Sequence, residues 1–362
     1  MSARGGDGGE TRAGSGPRPA GEDLGSCLVI GGAGMLGFEI VRLLAADGSP
    51  VRVLDLDPPP ESVGSAGGPS CEALVGDIRD PAAVRRACEG VDTVFQVAAA
   101  VWNVRTPHRV YDEVNVGGNR IVLEECRRRG IRRLVYTSSM DVVVDGRRPI
   151  VEGDETLPYP ARLPRDAYSR SKIVAERMML AANGPDLATC ALRPVGMYGP
   201  RDRYHLGNVV AMARRGISLR LGDGSARFSH AYSENVAHAH VLAARRLSPG
   251  SIDAGQCYFV GDHKPDENLF DFMAPYLRAL GLPVPTRSIP YRLALALAAV
   301  AEVVAPFSNF NRFAVIQTCV DHTFSYAKAE RDLGYRPPVS RDEAFARSLA
   351  WLRATASPEA AC

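Results

Sequence analysis

A chain of 362 residues is long for one core and short for three, so one principal domain with a smaller lobe is expected. Its 46% hydrophobic and 23% charged residues are the proportions of a globular protein. Lys and Arg number 43 against 41 Asp and Glu, and this balance argues against nucleic acid as the main partner, because phosphate binding needs clustered positive charge.

The first 24 residues, rich in Gly, Ser, Pro and charge, read as a disordered extension without the apolar core of a secretion signal. Residues 27–31 (CLVIG) read as a buried strand, followed by a Gly-rich turn and a helix over 37–46. Strands follow at 51–56, at 71–77 after a loop over 58–70, at 91–100 and at 131–139, with helices at 81–88 and 110–129 between them. A helix runs from Tyr168 to about Asn183, and a strand covers 187–194. Apolar strands alternating with helices predict a Rossmann-type α/β fold: a doubly wound parallel sheet over 25–194, covered on both faces.

From 195 to 362 the pattern is mixed: helices at 206–215, 234–246, 266–280, 289–305 and 341–353, and short strands near 218–221, 228–232 and 257–260. This part is expected to form mainly a C-terminal substrate lobe, with segments returning to the first domain. The segment 289–307 is almost wholly apolar but shorter than the ~20 residues that span a bilayer. Core packing, a pocket wall and contact with a membrane surface are all open for it. Eight scattered cysteines without a CxxC pair suit a reducing, cytoplasmic setting.

Gly31, Gly34 and Gly37 form GxxGxxG between the first strand and its helix. The first lets the chain turn sharply, the second leaves room for a pyrophosphate at the helix N-terminus, and the third allows close helix–strand packing. Asp55 ends the second strand, where a carboxylate can accept both ribose hydroxyls and repel a 2′-phosphate; the pattern favours NAD over NADP. Asp77, at the end of the third strand, is a candidate partner for the adenine amino group.

Tyr168 and Lys172 lie four apart on one helix face, the spacing of a phenol that moves a proton beside an ammonium. A phenol titrates near 10, and a neighbouring positive charge favours its phenolate. Ser138 and Ser139 leave the fifth strand where a hydroxyl can bind a substrate oxygen. Asp80 and Asp141 are read as turn or cap residues. His238 and His240 are two apart, off a common helix face, and no metal is called for.

These residues together resemble the extended short-chain dehydrogenase/reductase superfamily, and within it the 3β-hydroxysteroid dehydrogenase family, including sterol-4α-carboxylate 3-dehydrogenases. The resemblance covers residues 27–355 and includes VIGGAGMLG (29–37), NVGGN (115–119), LVYTSSM (134–140), YSRSK (168–172), LRPVGMYGPRD (192–202), IPYRLALALAAVAEVV (289–304) and FSYAKAERDLGYRP (324–337). It implies Tyr168 as catalytic base, Lys172 as its partner, and Ser138 or Ser139 as donor to the substrate oxygen. It implies an NAD site formed by Gly31, Gly34, Met35, Leu36, Gly37, Asp55, Asp77, Ile78, Ala98, Lys172 and Pro194. It also implies a homodimer and a steroid or sterol-like substrate, oxidised at a 3β-hydroxyl with or without loss of a 4α-carboxylate. Gln96 departs from the histidine common in that family. Competing readings are a nucleotide-sugar epimerase or dehydratase, with Arg201, Arg203 and Arg227 in its favour, a long-chain β-keto acid reductase, and a non-catalytic NAD-binding scaffold.

Overall fold

The structure is a computed structural model and describes residues 23–355 apart from 59–70, 104, 147, 165, 263, 265 and 305–309. The expected extension over 1–24 and the loop over 58–70 therefore fall mostly outside the described residues.

Five strands, β1 (Cys27–Ile30), β2 (Val51–Asp55), β3 (Cys71–Val75), β4 (Thr93–Gln96) and β5 (Arg133–Thr137), join Ala188–Pro194 and Cys257–Val260 in one sheet. Its spatial order is Cys257–Val260, Ala188–Pro194, β5, β4, β1, β2, β3, and every pairing is parallel. The order reverses at β1, which lies between β2 and β4, so the crevice beyond the carboxyl ends of these strands is the binding position of a doubly wound fold.

Apart from the partly exposed edge strand β3, both faces of the sheet are buried, which explains the unbroken apolar runs. Alternate residues feed opposite cores: Val29, Val53, Phe95 and Val135 on one side, Leu28, Leu54, Val94 and Leu134 on the other. The first core is closed by α1 (Met35–Ala46) and by the helix Ser233–Arg246, whose Val236, Ala237, Val241 and Ala244 join it. Sequence beyond residue 194 thus supplies both an outer strand and a covering helix of the sheet.

A smaller core around Tyr198, Leu206, Tyr232, Phe272, Tyr276 and Leu352 forms the second lobe. Four further elements lack a strong sequence pattern: Ile150–Gly153 pairs with His322–Phe324, and helices form at Arg312–Cys319 and Ala327–Leu333. The expected helix over 110–129 is interrupted. Asp112–Gly118 takes the wider π-helical turn between α-helical His108–Tyr111 and Asn119–Arg129. Gly118 sits where a Cβ would come within 2.8 Å of Ile78, so the chain needs a glycine at this crossing.

The apolar segment after residue 289 forms the helix Tyr291–Val304. It buries Ala294 and Ala298 against Val315 of the helix Arg312–Cys319, while Leu293, Val300, Val303 and Val304 face outward. It forms, with the helix Arg312–Cys319, a small apolar cluster separate from the cores of the sheet. Among the described residues no helix is long and apolar enough to cross a membrane.

Candidate active site

The Gly-rich turn is built for close approach. Gly31 has φ +90° and a Cβ there would lie 2.6 Å from the Ala98 nitrogen; at Gly37 it would lie 2.0 Å from the Gly31 carbonyl oxygen. Gly34, the N-cap of α1, has only that same carbonyl within reach, at 3.4 Å, and so leaves the helix N-terminus open where Met35 and Leu36 begin the first turn. The Ala33 amide donates to Asp55 Oδ2 at 2.8 Å and the Leu56 amide to Oδ1 at 2.7 Å, which holds the carboxylate beside the turn. Arg201, at φ +69°, lays its guanidinium 3.9 Å over the Phe38 ring, on the same side of the fold. These residues fit NAD: a cradle that side chains would fill, a free helix N-terminus, and a fixed carboxylate at the end of β2.

Asp77, the candidate partner for the adenine amino group, is paired with Arg79, and its carboxylate remains partly exposed. Arg79 forks onto it, Nε to Oδ1 at 3.1 Å and Nη2 to Oδ2 at 2.6 Å, and holds its carboxyl below the usual carboxylate range. Ile78 packs against Gly118, and Ala98 stands against Gly31. Pro194 ends its sheet strand next to Arg193. Buried Gln96 donates to the Ala98 carbonyl and to Asn119 Oδ1, at 3.0 and 2.7 Å, a structural role in place of the family histidine.

Asp166 caps the Tyr168 helix by accepting from the Ser169 amide at 2.7 Å, and the helix runs Ala167–Ala181. Lys172 is buried, donates from Nζ to the Thr137 carbonyl at 2.6 Å and lies 4.7 Å from the centre of the Tyr136 ring. Desolvation brings its pKa down to about 7, opposed by the carboxylates of Glu176 and Asp141. Tyr168 keeps part of its surface open to solvent and packs its ring edge-on to Tyr111, 6.2 Å between centres. Its phenol is pushed up rather than down: desolvation dominates, the Asp141 charge adds to it, and the Ser139 hydroxyl opposes. The lowering expected from Lys172 is thus outweighed by burial of the phenol. Ser138 Oγ is buried without a hydrogen-bond partner among the described residues, whereas Ser139 Oγ donates to Asp141 Oδ2 at 2.8 Å.

Asn115 ties three elements together. Its Oδ1 accepts from the Ala100 amide at 2.7 Å, and its Nδ2 donates to the Ala100 carbonyl at 3.1 Å and to Ser171 Oγ at 2.9 Å. The loop after β4 is thereby fixed against the Tyr168 helix. One turn beyond Lys172, Glu176 forms a buried ion pair with Arg193 at 2.7 Å and accepts from the Tyr159 hydroxyl at 2.6 Å.

Three contributors escape a reading of the sequence. Asp141, which reads as a turn residue, faces Ser139 and accepts from Gln317 Nε2 at 2.8 Å. Gln317 and Phe313 share a face of the helix Arg312–Cys319, and Phe313 meets Trp102 of the loop after β4, ring centres 5.7 Å apart. The helix Arg312–Cys319 thus contacts both the segment Tyr291–Val304, which packs on it, and the residues Asp141 and Trp102. Its one sequence signal is Asn311, whose side chain caps it by accepting from the Ala314 amide.

The model of the 3-beta hydroxysteroid dehydrogenase/isomerase family matches residues 28–292. Short-chain dehydrogenase/reductase family 42E member 1 of Bos taurus is 35% identical over 351 residues, 90% of this chain and 87% of that protein. The 3 beta-hydroxysteroid dehydrogenase/Delta 5-->4-isomerase of Mycobacterium tuberculosis is 37% identical over 347 residues, 90% of each. Among solved structures, the NAD complex of Thermus thermophilus UDP-glucose 4-epimerase is similar with TM-score 0.66 and 25% identity, covering 91% of this chain and 99% of that one.

Proposed function

The chain belongs to the 3-beta hydroxysteroid dehydrogenase/isomerase family of the extended short-chain dehydrogenases/reductases, and from that premise we propose that it oxidises the 3β-hydroxyl of a steroid or sterol-like alcohol to a ketone. It is an NAD-dependent oxidoreductase acting on a small organic molecule. When bound, NAD supplies the hydride acceptor. Tyr168 takes the alcohol proton at its phenolate oxygen, Lys172 holds the cofactor ribose and biases the phenol, and the Ser138–Ser139 pair steadies the oxygen as charge develops on it. A 4α-carboxylated sterol would lose carbon dioxide through the enolate that the same hydroxyls stabilise.

The observation that carries the apolar substrate is the helix Arg312–Cys319, which sets Phe313 on Trp102 and Gln317 on Asp141 beside Tyr168. A rigid hydrocarbon body needs such a wall. The outward apolar face of Tyr291–Val304, directly behind it, supports peripheral contact with a membrane surface. The second reading, a nucleotide-sugar epimerase or dehydratase, is favoured by the similarity to UDP-glucose 4-epimerase. It needs cationic groups at a diphosphate, yet Arg203 and Arg227 are exposed and Arg201 stacks near the Gly-rich turn.

The test is NADH formation measured by absorbance with a panel of 3β-hydroxysteroids and, in parallel, UDP-hexose interconversion. Turnover of the steroids alone supports the reading; turnover of the sugars alone replaces it. Tyr168→Phe should lower kcat by at least ~10²-fold while NAD still binds.

A further inference from the structure

Thr137, the last residue of β5, is held at both its carbonyl and its hydroxyl. The carbonyl accepts from Lys172 Nζ at 2.6 Å, and the hydroxyl oxygen lies 2.9 Å from His240 Nε2. His240 is fastened in turn to its own helix, Nδ1 to the Val236 carbonyl at 2.8 Å. Thr137, Lys172 and His240 are all buried. We infer that His240 is a positioning residue for Lys172: through the Thr137 hydroxyl it fixes the end of β5, and with it the carbonyl that holds the lysine ammonium. The inference rests on Lys172 as the group that holds the cofactor ribose.

The direction of each bond follows from its partners. A carbonyl only accepts, so Nδ1 carries the imidazole proton and Nε2 keeps a lone pair. The Thr137 hydroxyl must therefore donate to Nε2. The strand needs an anchor at this point, because β4 pairs with β5 only as far as Gln96 and Tyr136. Beyond that, Thr137 is paired on one side alone, with Leu192. Alternation along β5 sends Val135 and Thr137 to the face covered by Ser233–Arg246, where His240 lies. It sends Tyr136 to the opposite face, and there Lys172 Nζ stands 4.7 Å from the centre of the ring. His240 and Lys172 thus hold one residue from two sides of the sheet. Thr137 is β-branched, so a fixed hydroxyl fixes the rotamer and resists rotation of the residue as a whole. An ammonium has three protons, and the Thr137 carbonyl takes one of them. The direction of the other two, which are left for ribose hydroxyls, is set by that first bond. A flexible four-carbon stem does not set it alone.

The experiment is a double-mutant cycle read by NAD binding, measured by fluorescence titration, with the thermal midpoint as the check on folding. Thr137→Val removes the hydroxyl and keeps the shape, Thr137→Ser keeps the hydroxyl, and Lys172→Met removes the group that is held. The NAD dissociation constant should rise about tenfold in T137V and in H240L, and stay within about twofold of wild type in T137S. In the K172M background T137V should add less than about twofold. In steady-state oxidation T137V should lower kcat and raise KM for NAD, with KM for the alcohol unchanged. T137V leaves the imidazole Nε2 buried without a donor; T137V/H240L makes both partners apolar, should bind NAD as weakly, and serves if a single variant does not fold. Unmoved NAD binding in T137V or T137V/H240L overturns the inference, as does an equal loss in the K172M background or a T137S as weak as T137V. Unchanged NAD binding in K172M alone would instead overturn the role given to Lys172, and the inference with it, so the two failures are separable.

Discussion

The rings of Trp102 and Phe313 meet at 5.7 Å and join the loop after β4 to the helix that walls the cleft. That loop is itself fixed, at Ala100 by Asn115 and at Asn103 by the Tyr111 hydroxyl. The wall is therefore referred to the same frame that holds Tyr168.

Phe313→Ala should raise KM for an apolar alcohol by about tenfold, the loss of an aromatic pair and part of its buried area. Binding of NAD, measured separately by fluorescence, should change by less than about twofold. Equal losses for both ligands would mean that the variant had disturbed the fold instead.

Asp55 is the residue proposed to decide between the two nicotinamide cofactors. Replacing it with Ala removes the acceptor of the Ala33 and Leu56 amides and the charge that repels a 2′-phosphate. The ratio of kcat/KM for NAD to that for NADP should fall by about 10- to 100-fold. An unchanged ratio would place cofactor choice elsewhere.

His240 makes stability depend on pH. It is fully buried; its Nδ1 donates to the Val236 carbonyl at 2.8 Å and its Nε2 accepts from Thr137 Oγ1 at 2.9 Å. Desolvation lowers its pKa to about 4. The unfolded chain, titrating near 6.5, binds the proton first on acidification. The contribution is present above pH ~6.5 and declines to nothing by pH ~4, on the order of 3 kcal/mol in all. His240→Gln should flatten the fall of Tm across that window, whatever it does to Tm at neutral pH.

The sheet is legible in the sequence because a doubly covered parallel strand must be apolar on both sides, and CLVI, VRVLD and LVYT leave little choice. The glycine turn is legible because Gly31 and Gly37 are forced by backbone contact. What stays hidden depends on contacts between distant segments. Nothing local tells Asp141 from a turn aspartate until Gln317, 176 residues later, reaches it. Apolarity singles out 289–307 but leaves core packing, a pocket wall and membrane contact open; the helix that reaches Asp141 and Trp102, RFAVIQTC, carries too few periodic apolar positions to announce itself. A strand-end position alone marks Asp77, and it says nothing of the ion pair with Arg79 two residues on.

The strand Cys257–Val260 pairs with Ala188–Pro194 at one side of the sheet. A growing polypeptide consequently cannot finish its nucleotide-binding layer until Val260 has been synthesised, long after every glycine and acid of the cofactor cradle. A fragment cut near residue 194 would leave a raw β edge and a bare apolar face where Ser233–Arg246 should lie. The halves of this protein are separable on paper but share their last structural steps.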